Sequence, residues 1–155
     1  MKLPPLPLAG GCQCGRVRYA IATTPEVFYL CHCRECQRQS SSAFGQSLRV
    51  AAQGFSLTGD TAAVTWTSDA GTVRRGTFCP ACGTRLFHDR TGAATINVKA
   101  GTLDDPSWLE PAGHVWLRSK QAFFEVPPGA LAYATQPPDA FAALKTRWRE
   151  MIAAG

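Results

Sequence analysis

Val73-Arg74-Arg75-Gly76-Thr77-Phe78-Cys79-Pro80-Ala81-Cys82-Gly83-Thr84-Arg85-Leu86-Phe87-His88 is the stretch on which the reading of this chain turns. Two β-rich runs, Val73 to Phe78 and Thr84 to His88, flank Cys79-Pro80-Ala81-Cys82-Gly83. That linker has the form of a zinc knuckle, a tight turn that aims two sulfurs at one point while backbone N–H groups face them. Gly83 supplies the dihedral freedom such a turn needs. A Cys-x-x-Cys is also a redox signature, but that reading wants a thioredoxin-like βαβ setting, and this pair lies between two strands.

Five further cysteines lie N-terminal to the knuckle: Cys12 and Cys14, then Cys31, Cys33 and Cys36. The total of 7 is odd, so disulfides cannot absorb it, and the tight spacings favour metal ligation. Cys12-Gln13-Cys14 is expected to begin the first strand, where a period of two puts both side chains on one face and Gly10, Gly11 and Gly15 let the backbone bend. With Cys79 and Cys82 this pair makes a tetrahedral set of four thiolates, a closed structural site. Cys31-His32-Cys33-Arg34-Glu35-Cys36 places three thiols within six residues, enough to cap one ion while leaving a coordination position open. A ribbon of Cys33, Cys36, Cys79 and Cys82 is the competing division, and it leaves Cys12, Cys14 and Cys31 as spare thiols.

Outward from the clusters the pattern is short strands and turns. Arg16 to Thr23 alternates Val17, Tyr19 and Ile21 on one face against Arg16, Arg18 and Ala20 on the other, the period of a half-buried strand. Further β-rich runs are Gln46 to Val50, Phe55 to Thr58, Ala63 to Thr67, Thr95 to Lys99 and Val115 to Leu117. They are punctuated by Gly54, Gly59-Asp60, Asp69-Ala70-Gly71, Gly92 and Asp104-Asp105-Pro106. Arg34 to Ser42 reads as a helical turn behind the central cluster. After Pro127-Pro128-Gly129 and Pro137-Pro138, the residues Phe141, Leu144, Trp148, Met151 and Ile152 recur at helical spacing, predicting an amphipathic helix over Asp139 to Ala153 packed on the sheet. The fold class is mostly β, with one zinc-binding domain over 1–126 and a C-terminal loop and helix, 127–155, packed on it.

At 155 residues and 45% hydrophobic content the chain is long enough for a core of its own. The net charge of +5 comes from scattered Lys and Arg with no basic stripe and no aromatic–basic interleaving, which argues against a nucleic-acid partner. Nothing approaches a membrane span, and the N-terminal Leu/Pro stretch is too short and kinked for a secretory segment. A cytoplasmic setting, with reduced thiols, is expected.

Three thiolates around one zinc carry a net negative charge, which makes such a site a poorer water activator than a three-histidine site and better suited to receiving a thiol whose proton is lost on binding. Arg34 and Arg38 are placed to offset the added charge or to hold a substrate carboxylate. His32 reads as a polar neighbour of the cluster rather than a ligand; His88 and His114 read as isolated, satisfied histidines near the sheet rather than ligands.

Gly11-Cys12-Gln13-Cys14-Gly15, Cys31-His32-Cys33-Arg34-Glu35-Cys36 and Phe78-Cys79-Pro80-Ala81-Cys82-Gly83-Thr84 together resemble the glutathione-dependent formaldehyde-activating enzyme family, which includes centromere protein V. Lys99 to Pro106 and His114-Val115-Trp116 with Ser119-Lys120 support the resemblance, which covers about Leu8 to Phe124. It implies a tent-like arrangement of several small antiparallel sheets, with two zinc ions per chain. Cys12, Cys14, Cys79 and Cys82 would hold the structural ion, and Cys31, Cys33 and Cys36 the second, catalytic one. The implied activity is that of a carbon–sulfur lyase, joining formaldehyde, or a related small aldehyde, to glutathione as S-(hydroxymethyl)glutathione. Two other readings stand beside it: a non-catalytic zinc scaffold for protein partners, and a thiol redox sensor.

Overall fold

Turn residues cut this chain into short elements. The computed structural model describes residues 1–68 and 71–155. Of the turn expected at Asp69-Ala70-Gly71, Asp69 and Ala70 lie outside the described residues. In chain order the elements are β1 (Leu8–Gly11), β2 (Arg18–Ile21), β3 (Val27–Cys31), α1 (Arg34–Ser40), β4 (Gly45–Ala51), β5 (Phe55–Thr58), β6 (Ala62–Thr67), β7 (Val73–Phe78), β8 (Arg85–Asp89), β9 (Thr95–Val98), β10 (Gly113–Val115), β11 (Leu131–Ala132) and α2 (Ala142–Ala153). The fold is mostly β, with a C-terminal helix, as the sequence predicts. No described helix is long and apolar enough to cross a membrane.

Two compact units divide the chain, and each draws on discontinuous segments. One comprises Pro4–Pro25 and Leu48–Ser107. In it β1, β2 and β5 form a three-stranded antiparallel sheet, with Tyr19 opposite both Gly10 and Leu57. From Leu48 onward, β4 pairs with β9, and β9, β8, β7 and β6 follow in an antiparallel meander. Alternation does the folding here: Leu48, Val50, Leu86, Ile96 and Val98 are buried. Phe55 bridges the sheets of this unit, 5.3 Å from the Tyr19 ring and 5.1 Å from that of Phe87.

The other unit comprises Met1–Leu3, Glu26–Ser47 and Trp108–Gly155. Its central strand, β3, is buried at every position (Val27, Phe28, Tyr29, Leu30, Cys31). That continuous apolar run shows no period-two alternation, which is why strand periodicity passes over it. The expectation of purely antiparallel sheets is corrected here, since β10 runs parallel to both β3 and β11. Gly113 makes the close β10–β11 approach possible, because a Cβ there would strike the Leu131 carbonyl and lie 2.6 Å from Leu144 Cδ2.

Asp139 starts α2: its carboxylate oxygens accept from the Phe141 and Ala143 N–H groups at 3.1 and 2.8 Å. The helix itself begins at Ala142 rather than at Asp139, because Ala140 and Phe141 take positive φ values of 52° and 74°. The departure swings the Phe141 ring to 4.9 Å from Tyr29 of β3. Two turns on, Trp148 meets Phe28 at 6.2 Å and Trp108 at 6.1 Å. Leu144 is fully buried, a contribution of about 2 kcal/mol for one such side chain, and Lys145 pairs with Glu26 at 2.7 Å.

Candidate metal centre

The knuckle forms as its spacing predicts. Cys79 N–H donates to the Thr84 carbonyl at 3.0 Å and Gly83 N–H to the Cys79 carbonyl at 2.9 Å, closing a turn that Gly83 completes at φ 72°. Cys12 and Cys14 reach the same point differently from the expectation. They lie not on a strand but on the turn between β1 and β2, where Cys12 N–H donates to the Val17 carbonyl and Gly15 N–H to the Cys12 carbonyl at 2.9 and 3.0 Å. Gly15, at φ 77°, lets this turn close, and period two plays no part.

Cys12, Cys14, Cys79 and Cys82 bring four sulfurs within 4.8 Å of one another, and Cys31, Cys33 and Cys36 bring three within the same limit. Among the described residues the sulfurs gather as four and as three. Sulfurs bound to one zinc at about 2.3 Å in a tetrahedron stand about 3.8 Å apart. Cys12 and Cys14 sulfurs are 3.5 Å apart and those of Cys14 and Cys79 3.8 Å, close to that spacing. Each cluster can hold one metal ion, and an all-sulfur donor set suits zinc.

Polar hydrogens already face the sulfurs. Val17 N–H points at Cys12 Sγ (3.2 Å), Cys36 N–H at Cys33 Sγ (3.4 Å), and Thr84 Oγ1 lies 3.2 Å from Cys82 Sγ. Thr84 is itself held by Gln13 N–H at 3.2 Å. The thiols polarise one another accordingly. Thiol neighbours Cys31 and Cys36 pull Cys33 down to about 3, while the same contacts, from Cys33 and Cys36, push Cys31 well up. Thr84 pulls Cys82 down to about 5. At Cys14 the Arg16 backbone pulls downward, but the Cys12 thiol and desolvation outweigh it and leave the group at about 11. A cluster that keeps thiolates charged at neutral pH is one in which a cation is favoured.

The triplet is built by β3 and α1. Cys31 ends β3 and is buried; Cys33 caps α1, which runs Arg34–Ser40 where the sequence predicts a helical turn. Cys33 and Cys36 are half-buried, so the cluster is reachable from one side. Gln37 locks the helix from beneath: its amide N–H groups donate to the His32 and Ser119 carbonyls, both at 2.7 Å. Its Oε1 accepts from Arg34 Nη1 and Gln121 Nε2, both at 3.2 Å. Arg34 is thereby oriented by Gln37, while Arg38 lines a groove of about 670 Å³ that begins one residue past Cys36. Phe44, Phe123 and Phe124 supply the apolar wall of that groove, with Phe123 75% exposed at its lip.

Sequence reasoning treats His32 and His114 as separate residues, and the structure pairs them. Their rings stack at 5.4 Å with Phe44 and Phe124 around His32 at 5.6 and 5.0 Å. Their separation by some eighty residues hides the contact until the parallel pairing of β10 with β3 is known. His88 also departs from the expected satisfied histidine: among the described residues its buried Nδ1 has no hydrogen-bond partner.

Against known proteins, residues 7–119 match the family described as glutathione-dependent formaldehyde-activating enzyme. A solved structure of a Rhodobacter sphaeroides protein is similar with a TM-score of 0.49 and 17% identity, over 81% of this chain and 99% of that one. No curated protein matches significantly.

Proposed function

The chain belongs to the glutathione-dependent formaldehyde-activating enzyme family, and from that membership we propose that it joins a small aldehyde, formaldehyde foremost, to glutathione as S-(hydroxymethyl)glutathione. The reverse cleavage makes it a carbon–sulfur lyase. The observation that carries the reading is the three-thiol cluster of Cys31, Cys33 and Cys36, reachable from one side and bordered by a groove. Cys31, Cys33 and Cys36 would hold a zinc ion, which would lower the proton affinity of an incoming thiol.

The chain's own residues do the rest. Arg38 offers the groove a cation for a substrate carboxylate, and Arg34 is presented in a fixed direction by Gln37. Phe44, Phe123 and Phe124 give the groove an apolar wall, and its volume is in the range of small-ligand sites. In the reaction the glutathione sulfur attacks the aldehyde carbon, the carbonyl π pair moves onto oxygen, and the proton lost by the thiol ends on that oxygen. One C–S bond forms, and nothing is oxidised or reduced.

The test is Cys36→Ser, assayed for glutathione-dependent formaldehyde consumption and for bound zinc. Loss of turnover and of one zinc equivalent, with an unchanged circular dichroism spectrum, is the expected result. Unchanged turnover would sink the proposal.

A further inference from the structure

The meander of β4, β9, β8, β7 and β6 has a second face, turned away from the Leu48, Val50, Ile96 and Val98 side. Cross-strand partners lie on one face of a sheet. Register therefore aligns Arg49, Asn97, His88 and Gly76 in one row across four strands. Lys99 stands two residues beyond Asn97, and Trp66 opposite Arg74 two residues beyond Gly76, both on the same side by strand alternation. The guanidinium of Arg85 joins them, 5.6 Å over the Trp66 ring. Glycine at 76 is what makes room for it, since a Cβ there would lie 3.0 Å from Arg85 Cζ and 2.9 Å from Trp66 Cζ3.

Four cations thus converge around one histidine. The carboxylate next to it in sequence, Asp89, belongs to the opposite face and is held by Arg75 at 3.0 Å. His88 is driven well below its ordinary range by burial first, then by Lys99, Arg74, Arg85 and Arg49. Two nitrogens at the centre, His88 Nδ1 and Trp66 Nε1, are buried without a hydrogen-bond partner among the described residues. Buried polar groups are nearly always satisfied, so two unsatisfied nitrogens amid four cations mark a place suited to an anionic acceptor.

We propose that this face, with Arg49, Arg74, Arg85 and Lys99 around His88 and Trp66, is a binding site for a small multivalent oxyanion bearing phosphate or carboxylate groups. Arginine forks and a lysine ammonium supply charge-assisted hydrogen bonds. The indole N–H adds a neutral donor, and the half-buried setting weakens screening by salt. The site uses none of the seven cysteines, and its test is separate from that of the aldehyde chemistry.

Titration calorimetry on the zinc-loaded protein with pyrophosphate and with citrate, against chloride at constant ionic strength, decides it. Saturable binding of either anion at millimolar concentration or below is expected, and the tighter of the two names the ligand's chemistry. Arg85→Gln and Lys99→Gln each weaken that binding about tenfold, the loss of one charge-assisted contact. Arg149→Gln, on the exposed side of α2, leaves it unchanged. Arg85→Lys restores part of it. In the wild-type protein the imidazole nitrogen resonances of His88 move toward the protonated form on adding the anion, a readout independent of whether a variant folds. Absence of saturable binding by both anions overturns the site, as does binding that leaves the His88 resonances in place.

Discussion

Nε2 of His32 lies 3.1 Å from Nδ1 of His114, between two buried rings. Burial first, then the positive potential of its partner, holds His32 down to about 4, and burial also lowers His114. Both imidazoles are therefore neutral at pH 7, and a single N–H serves the pair. Because His32 stands between Cys31 and Cys33, this shared proton fixes the backbone from which two of three clustered thiols project.

His114→Ala leaves His32 Nε2 without its partner and opens a cavity beside β3. A cost of about 2–4 kcal/mol is expected, read from urea unfolding. Bound zinc, quantified in the same samples, should fall toward one equivalent under a competing chelator that leaves two on the wild type.

Gln37→Leu keeps the approximate volume and removes the four hydrogen bonds that the Gln37 side chain makes with His32, Ser119, Arg34 and Gln121. Two carbonyls lose their donor, for about 2–4 kcal/mol in all. Thermal unfolding measures that loss, and turnover should drop further than stability alone explains because Arg34 is no longer aimed.

Metal removal should proceed in two stages. The cluster with three thiols gives up its ion to a chelator first, without loss of secondary structure, and the four-sulfur cluster later, with cooperative unfolding. Cys82→Ser accordingly lowers stability by at least about 3 kcal/mol, roughly 6–12 °C in Tm, whereas Cys36→Ser leaves Tm within about 3 °C. Zinc release followed by a colorimetric chelator alongside circular dichroism distinguishes the stages.

His88 sets a pH dependence whose sign is fixed by its lowered affinity for protons in the folded state. Below its unfolded value of about 6.5 the unfolded chain binds the proton and the folded one does not, so stability falls as pH falls, by up to about 1.4 kcal/mol per pH unit. Above about pH 6.5 the term vanishes. The difference in unfolding free energy between the wild type and His88→Gln, followed from pH 8 to pH 5, should narrow on the acid side. A constant difference would assign His88 no linkage.

Local chemistry made part of this molecule legible and long-range pairing concealed the rest. The knuckle at Cys79 to Gly83 and the strand Val73 to Phe78 are readable because each depends on neighbours in sequence. Cys12 and Cys14 are readable as a pair but not as a turn, since spacing alone cannot distinguish a strand face from a glycine-assisted bend. β3 and the short β11 escape notice for opposite reasons: Val27 to Cys31 is apolar throughout, and Leu131–Ala132 is too brief to show any period. The His32–His114 pair and the basic row across β4, β9, β8 and β7 depend on sheet register, which no single segment encodes.

The residues shared with the family stop at 119, yet β3, which ends in Cys31, is gripped by rings that come later: Phe141 against Tyr29, Trp148 against Phe28, and Phe124 against His32. The stiffness of the strand that carries the first thiol of the triplet is thus set by a tail that lies outside the shared span. Substitutions confined to that tail can therefore retune the cluster of this chain while every cysteine stays in place.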